Sequence, residues 1–247
     1  MRETRVLMGM PVTIDIVRAA DSRLHRLAFD YFDKVDRRFS TYKSNSEISA
    51  INGGLIDAGS YSEEMCEVLA LAETTRWETG GCFDIRRPDG TLDPSGIVKG
   101  WAIRNAARLL QLAGATDFYV DAGGDVQPAG RNEAGADWRA GIRNPFNPEQ
   151  IVKTVCLKGQ GIATSGTYVR GQHIYNPHAP ERPIGDIVSL TVIGPDVLEA
   201  DRFATAAFVM GADGIQFLER QPGLEGYVID AAGIATMTSG FSAFIQS

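Results

Sequence analysis

The run "IVSLTVIGPDVLEADRFATAAFVMGA", residues 187–212, decides how the chain is read. Its first eight residues form a β-rich strand, and the rest opens an apolar helix after a Pro-Asp break. On that helix Leu198, Asp201, Thr205 and Phe208 share one stripe, because positions three and four apart fall on the same face. An aspartate and a threonine therefore sit one turn apart on an apolar stripe. A carboxylate desolvated in this way is costly unless a cation or hydrogen bonds compensate it. Asp201 could pair with Arg202 or a distant arginine while Thr205 bonds back to the Asp201 carbonyl. Alternatively, the two could hold a hard cation such as Mg²⁺, with a phosphorylated ligand supplying the remaining oxygens.

Outward from this run, helices and strands are partly segregated rather than strictly alternating, which predicts an α+β fold. Residues 6–14, "VLMGMPVTI", read as a first strand. Leu24, Leu27, Ala28, Tyr31, Phe32, Val35 and Phe39 recur at helical spacing behind Asp21 as N-cap, with His25 on the polar side. Ser44 with Glu47, and Ser60 with Glu63, match capping boxes that open a short helix and a longer one ending at Gly80 and Gly81. Another helix is expected from about Ile97 to Leu112. The runs "DFYVDAGG", "WRAGIRN", "IVKTVCLKG" and "GIATSGTY" read as antiparallel meanders, and "GYVID" with "IATMT" as a closing hairpin. No repeat, low-complexity tract or long linker interrupts residues 1–247, which are expected to form one domain.

The 247 residues carry a net charge of -7, with no Lys/Arg cluster, so nucleic acid is not an expected partner. Cys66, Cys82 and Cys156 form no CxxC pair and are expected to be buried small hydrophobes in a reducing compartment. No segment approaches the ~18 apolar residues of a membrane span.

Glycine-rich corners lie at the ends of elements in "DPSGIVKGWA", "DAGGDV" and "ATSGTY". Each is either a tight turn or a place where backbone N–H groups meet phosphate oxygens. Asp93 precedes a helix start and Lys99 lies one turn into it, flanking a possible anion site. No GxGxxG follows a strand and no GxxxxGK[ST] occurs, so phosphate would be held in some other way. His173, directly after "ATSGTYVR", is placed to act as a general base. His178 reads as exposed in a Pro-rich turn, and Ser165 as a turn hydroxyl rather than a nucleophile.

Taken in order, "MGMPVTI", "FSTYKSNSEISAIN", "GGCFD", "DPSGIVKGWA", "DAGGDV", "GIATSGTYVRGQHIYNP" and "ADRFATAAFVMG" resemble the FAD:protein FMN transferases, the ApbE family. The resemblance implies a T-fold-like α+β architecture and a site for FAD, as substrate, with Mg²⁺. Such enzymes attach FMN through a phosphoester to a Thr or Ser hydroxyl of an acceptor flavoprotein and release AMP. By motif, Met8, Tyr42, Cys82, Phe83, Asp84, Asp93, Lys99 and Ile174 would contact FAD. Asp201, Thr205 and the Gly96 carbonyl would hold Mg²⁺, and His173 would activate the acceptor hydroxyl or carry FMN transiently.

The chain departs from the family pattern at "HIYNPHAP", with Asn176 for the usual Asp, at Pro94-Ser95 in place of Leu-Gly, and in the short "IRRPDGTL" before Asp93. Two other readings share the site: a Mg²⁺-dependent FAD pyrophosphatase giving FMN and AMP, and a non-catalytic flavin-binding protein. The absence of a leader with a lipid-accepting cysteine in these residues points to a cytoplasmic location.

Overall fold

The computed structural model describes residues 1–18, 22–166, 176–179, 181 and 184–245. Eight strands form one sheet: β1 (Arg2–Leu7), β2 (Met10–Ile16), β3 (Phe118–Ala122), β4 (Asp125–Ala129), β7 (Gly161–Gly166), β8 (Ile187–Gly194), β9 (Glu225–Asp230) and β10 (Ala235–Met237). They lie in the order β1-β2-β3-β4-β7-β8-β9-β10, and each neighbouring pair is antiparallel. β5 (Trp138–Asn144) and β6 (Asn147–Leu157) form a separate antiparallel hairpin. The helices are α1 (Arg23–Phe39), α2 (Glu47–Asn52), α3 (Glu63–Glu78), α4 (Ser95–Leu112), α5 (Val197–Val209) and α6 (Gly214–Glu219). Antiparallel sheet and helices in separate runs make this an α+β fold, as the sequence predicts.

Strand alternation divides the apolar side chains between two faces. Ala163, Val192 and Val228 pack beneath α5 and its Phe203 and Phe208. Their neighbours Ile162, Ile193 and Ile229 face the other way, against Ile142, Val155 and Leu157 of the β5–β6 hairpin. β8 is thus covered on both sides, which is why "IVSLTVIG" is apolar at most positions instead of at every second one. α4 lies against β3 and β4, with α1 packed behind it. Among the described residues no helix is long and apolar enough to cross a membrane.

Several local expectations are corrected. The stretch 6–14 is two strands, because the chain reverses at Met8 and Gly9, with φ of 53° and 72°. A two-residue hairpin loop favours positive φ at both central residues, a conformation natural to Gly9 and strained for Met8. The N-caps are Ser46 and Ser62, two residues later than the sequence boxes, and each accepts from the N–H three residues on. Glu47 takes the Ser62 N–H and hydroxyl at 2.7 Å each, so a carboxylate from the preceding helix completes the second cap.

His25 is buried, with Nε2 2.9 Å from the Met1 carbonyl, because β1 covers that side of α1. Cys66 is exposed and Cys82 and Cys156 are half-buried; Cys156 alternates along β6 with the buried Val155 and Leu157, and Cys66 lies beside the inward-facing Met65 of α3. Ser165 is a buried residue of β7, not a turn hydroxyl. His178 is exposed as expected.

Trp101 of α4 anchors the helical layer. It is 1% exposed, meets Phe39 edge-on at 5.6 Å between ring centroids, and donates Nε1–H to Glu67 at 2.9 Å. Trp101→Ala removes that packing and is expected to cost about 3–5 kcal/mol, measured by urea denaturation. A loss below about 1 kcal/mol would mean that the layer does not depend on this ring.

Candidate active site

The site is built on the crossing of α4 and α5. Gly96 and Gly100 lie one turn apart on α4 and face Asp201 and Thr205, one turn apart on α5. A Cβ on Gly100 would stand 2.8 Å from the Asp201 Cβ and 3.0 Å from the Leu198 Cα, and one on Gly96 would stand 3.2 Å from the Phe83 ring and 3.8 Å from Thr205. The absence of a side chain at Gly100 is therefore what lets α5 bring Asp201 against the first turns of α4.

Asp201 is 2% exposed. Its Oδ2 accepts the Gly100 N–H at 2.8 Å, and its Oδ1 lies 3.1 Å from Lys99 Nζ. The Gly100 N–H is the donor that helical register assigns to the Gly96 carbonyl, so Asp201 competes with that carbonyl for it. Lys99 meets a second buried carboxylate, Asp125, which opens β4 and accepts the Thr164 N–H at 3.0 Å. Burial is the largest influence on the Asp201 carboxyl and pushes its pKa up, to about 7; Lys99 pulls it down and Asp125 adds to the rise. Burial also raises Asp121, whose Oδ1 accepts the Gly124 N–H at 2.9 Å.

Arg202, one of the partners the sequence offered for Asp201, points elsewhere. Its guanidinium bonds Glu199 at 2.6 and 2.9 Å, Thr75 Oγ1 at 3.2 Å and Glu78, tying α5 to α3.

These groups form one end of a cleft of about 1000 Å³. Cys82, Phe83, Asp84, Asp93, Gly96, Lys99, Asp201 and Thr205 all line it. Two tight turns enter its wall from one end of the sheet: Gly9 follows Met8, and Gly123 and Gly124, with φ of 64° and 99°, join β3 to β4. The latter turn delivers Asp125 to Lys99. Asp93 accepts the Ser95 N–H at 3.1 Å and pairs with Arg87, so the carboxylates that meet Lys99 come from β4 and α5 instead.

Met8 packs on the core and Tyr42 is 95% exposed, and neither lines the cleft. Its aromatic surface includes Tyr119 and Trp138, in edge-to-face contact at 5.1 Å, with Arg2 over the Tyr119 ring at 5.9 Å. The outward position of Tyr119 in the alternating run "FYVDA" was the available signal for that wall. His173 and Ile174 lie outside the described residues.

A carboxylate, a hydroxyl and a backbone carbonyl, from Asp201, Thr205 and Gly96, are oxygen donors of the kind a hard divalent cation takes. Among the described residues no three Asp, Glu, His or Cys side chains form a metal cluster. Mg²⁺ is a hard cation of this kind, binding through one or two carboxylates and filling its shell with water and phosphate oxygens.

A model of the ApbE family matches residues 8–87 and 85–228. The FAD:protein FMN transferase of Escherichia coli K12 is 34% identical over 173 residues, covering 65% of this chain and 49% of that protein. Its namesake from Vibrio cholerae is 35% identical over 136 residues, 51% of this chain and 40% of that protein. The chain thus spans about half the length of the curated relatives it matches. The crystal structure of an ApbE protein from Thermotoga maritima superposes with a TM-score of 0.88 at 21% identity, covering 100% of this chain and 99% of that one. The flavin transferase ApbE from Vibrio cholerae superposes with a TM-score of 0.87 at 24% identity, over 99% of this chain and 98% of that one. At these identities the structural likeness is one of fold.

Gly100→Ala tests the helix crossing. Alanine improves intrinsic helix stability by about 1 kcal/mol, but its Cβ would overlap the α5 backbone, and overpacking of this kind costs about 1–3 kcal/mol. A net loss is expected in urea denaturation, and a gain would show that the helices do not approach as described.

Proposed function

The chain belongs to the ApbE family, and on that footing we propose that it is a Mg²⁺-dependent FAD:protein FMN transferase. FAD is the substrate, and FMN is attached through a phosphoester to a Thr or Ser hydroxyl of an acceptor protein, with release of AMP. The family's target pattern resembles Asp-x-x-[Ser/Thr]-Gly-Ala-[Thr/Ser]. The observation that carries this reading is the meeting of Asp201, Thr205, Lys99 and the Gly96 backbone at one end of a cleft large enough for a dinucleotide.

In the reaction, the acceptor oxygen forms a bond to the FMN phosphorus as the bond from that phosphorus to the AMP oxygen breaks. The hydroxyl proton passes to a base, which we assign to His173. Asp201, Thr205 and the Gly96 carbonyl would hold Mg²⁺. When bound, the cation neutralises the pyrophosphate and makes phosphorus easier to attack. Lys99 adds a fixed positive charge beside it. Gly100 holds Asp201 in a single orientation, so the charged end of the cleft is organised before the ligand arrives. Tyr119 and Trp138 supply ring surface for a flavin or an adenine.

The test is incubation with FAD, Mg²⁺ and an acceptor domain carrying the target pattern, with AMP followed by chromatography and the acceptor by intact mass. An acceptor heavier by FMN, with AMP released in step, is the expected outcome. Free FMN and AMP beside an unmodified acceptor would support the pyrophosphatase reading, and bound but unchanged FAD the carrier reading. Asp201→Ala is expected to lower turnover by roughly 10²–10³-fold, the equivalent of several kcal/mol, while leaving the chain folded. Full activity in that variant would remove the metal assignment. His173→Ala is expected to retain FAD binding and lose transfer by about 10²–10⁴-fold.

A further inference from the structure

Asp125 is as deeply buried as Asp201, at 1% exposed, yet none of the roles assigned above requires it. Its two oxygens do different things. Oδ1 accepts the Thr164 N–H at 3.0 Å and fastens the start of β4 to β7. Oδ2 faces the Lys99 ammonium as an ion pair, without the alignment of a hydrogen bond. A purely structural link between the strands needs only Oδ1, and an asparagine oxygen would serve it equally well. Burying a full charge for that purpose would be wasteful, since an ion taken out of water is repaid only by a well-placed partner.

The partner is shared. Lys99 Nζ sits between Asp125 on β4 and Asp201 on α5, 3.1 Å from the latter. With both carboxylates ionised, these three groups together carry one net negative charge. Without Asp125, the single charge of Lys99 would fall wholly on Asp201 and cancel it.

We propose that Asp125 is a positioning residue that shares the Lys99 ammonium with Asp201, so that the ammonium does not pair with Asp201 alone and Asp201 can take a divalent cation while Lys99 remains on the cleft wall to meet phosphate. The inference rests on the metal reading of the preceding section. Asp125 touches neither the cation nor the substrate in this role and acts through Lys99.

The experiment uses the full chain without flavin, with Mn²⁺ as the probe and free Mn²⁺ followed by electron paramagnetic resonance. Asp125→Asn preserves an acceptor for the Thr164 N–H, and its thermal melt reports whether the fold is kept. The expected result is Mn²⁺ binding at least tenfold weaker than in the wild type, because the Lys99 ammonium then pairs with Asp201 alone and competes with the cation for it. In a Lys99→Met background the same substitution is expected to change affinity less than threefold, because no ammonium remains to be held. Equal affinity in the wild type and Asp125→Asn would overturn the proposal and leave the metal reading standing. A loss of equal size with and without Lys99 would mean that Asp125 acts on the cation directly, as a ligand or through its charge, and overturn it as well. A wild type that takes up no Mn²⁺ would overturn both.

Discussion

A lysine ammonium held between two buried carboxylates is the constraint around which the cleft is organised. Lys99, Asp125 and Asp201 come from α4, β4 and α5, and each is buried or nearly so. Ions in such a place are tolerated only when their geometry is good and their remaining lone pairs are occupied. The Thr164 N–H and the Gly100 N–H meet that demand from β7 and α4. Four elements are therefore locked into one arrangement by a handful of polar contacts.

That arrangement makes demands on the backbone. α5 can approach α4 at Asp201 only where α4 has no side chain, which calls for glycine at position 100; at position 96 a side chain would meet the Phe83 ring instead. β3 and β4 must reverse in two residues with positive φ to place Asp125 at the cleft, which calls for Gly123 and Gly124. The same end of the sheet carries the Met8–Gly9 turn, so both tight turns contribute to one wall. Covering the opposite face with the β5–β6 hairpin buries β8 twice over and adds Trp138 and Ile142 to the cleft.

Legibility in the sequence followed distance along the chain. Asp201 and Thr205 could be singled out because their relation is local, four residues on one helix. The runs of strand and helix were readable for the same reason, since periodicities of 2 and 3.6 are short-range. The second cap was misplaced by two residues because Glu47 reaches across from another helix to complete the cap at Ser62. His25 was taken for a solvent-facing residue because nothing in α1 reveals that β1 covers it. Tyr42 stood out as an aromatic residue within a family motif, whereas the cleft takes ring surface from Tyr119 and Trp138, brought together by chain reversals far from Tyr42.

The sequence by itself determined the α+β class, most of the elements, the family resemblance and the polar pair on the 198–212 helix, all of which depend on local spacing or on motifs in order. Only the tertiary structure decided what that pair meets. Asp201 lies beside Arg202 in the chain but pairs with Lys99, more than a hundred residues away, and Lys99 in turn finds Asp125 through a strand turn. The physical reason is that the neutralising partner of a buried charge is whichever opposite charge the packing brings within reach. Packing is set by the close crossing of two helices and the pairing of β4 with β7, neither of which has a local signature.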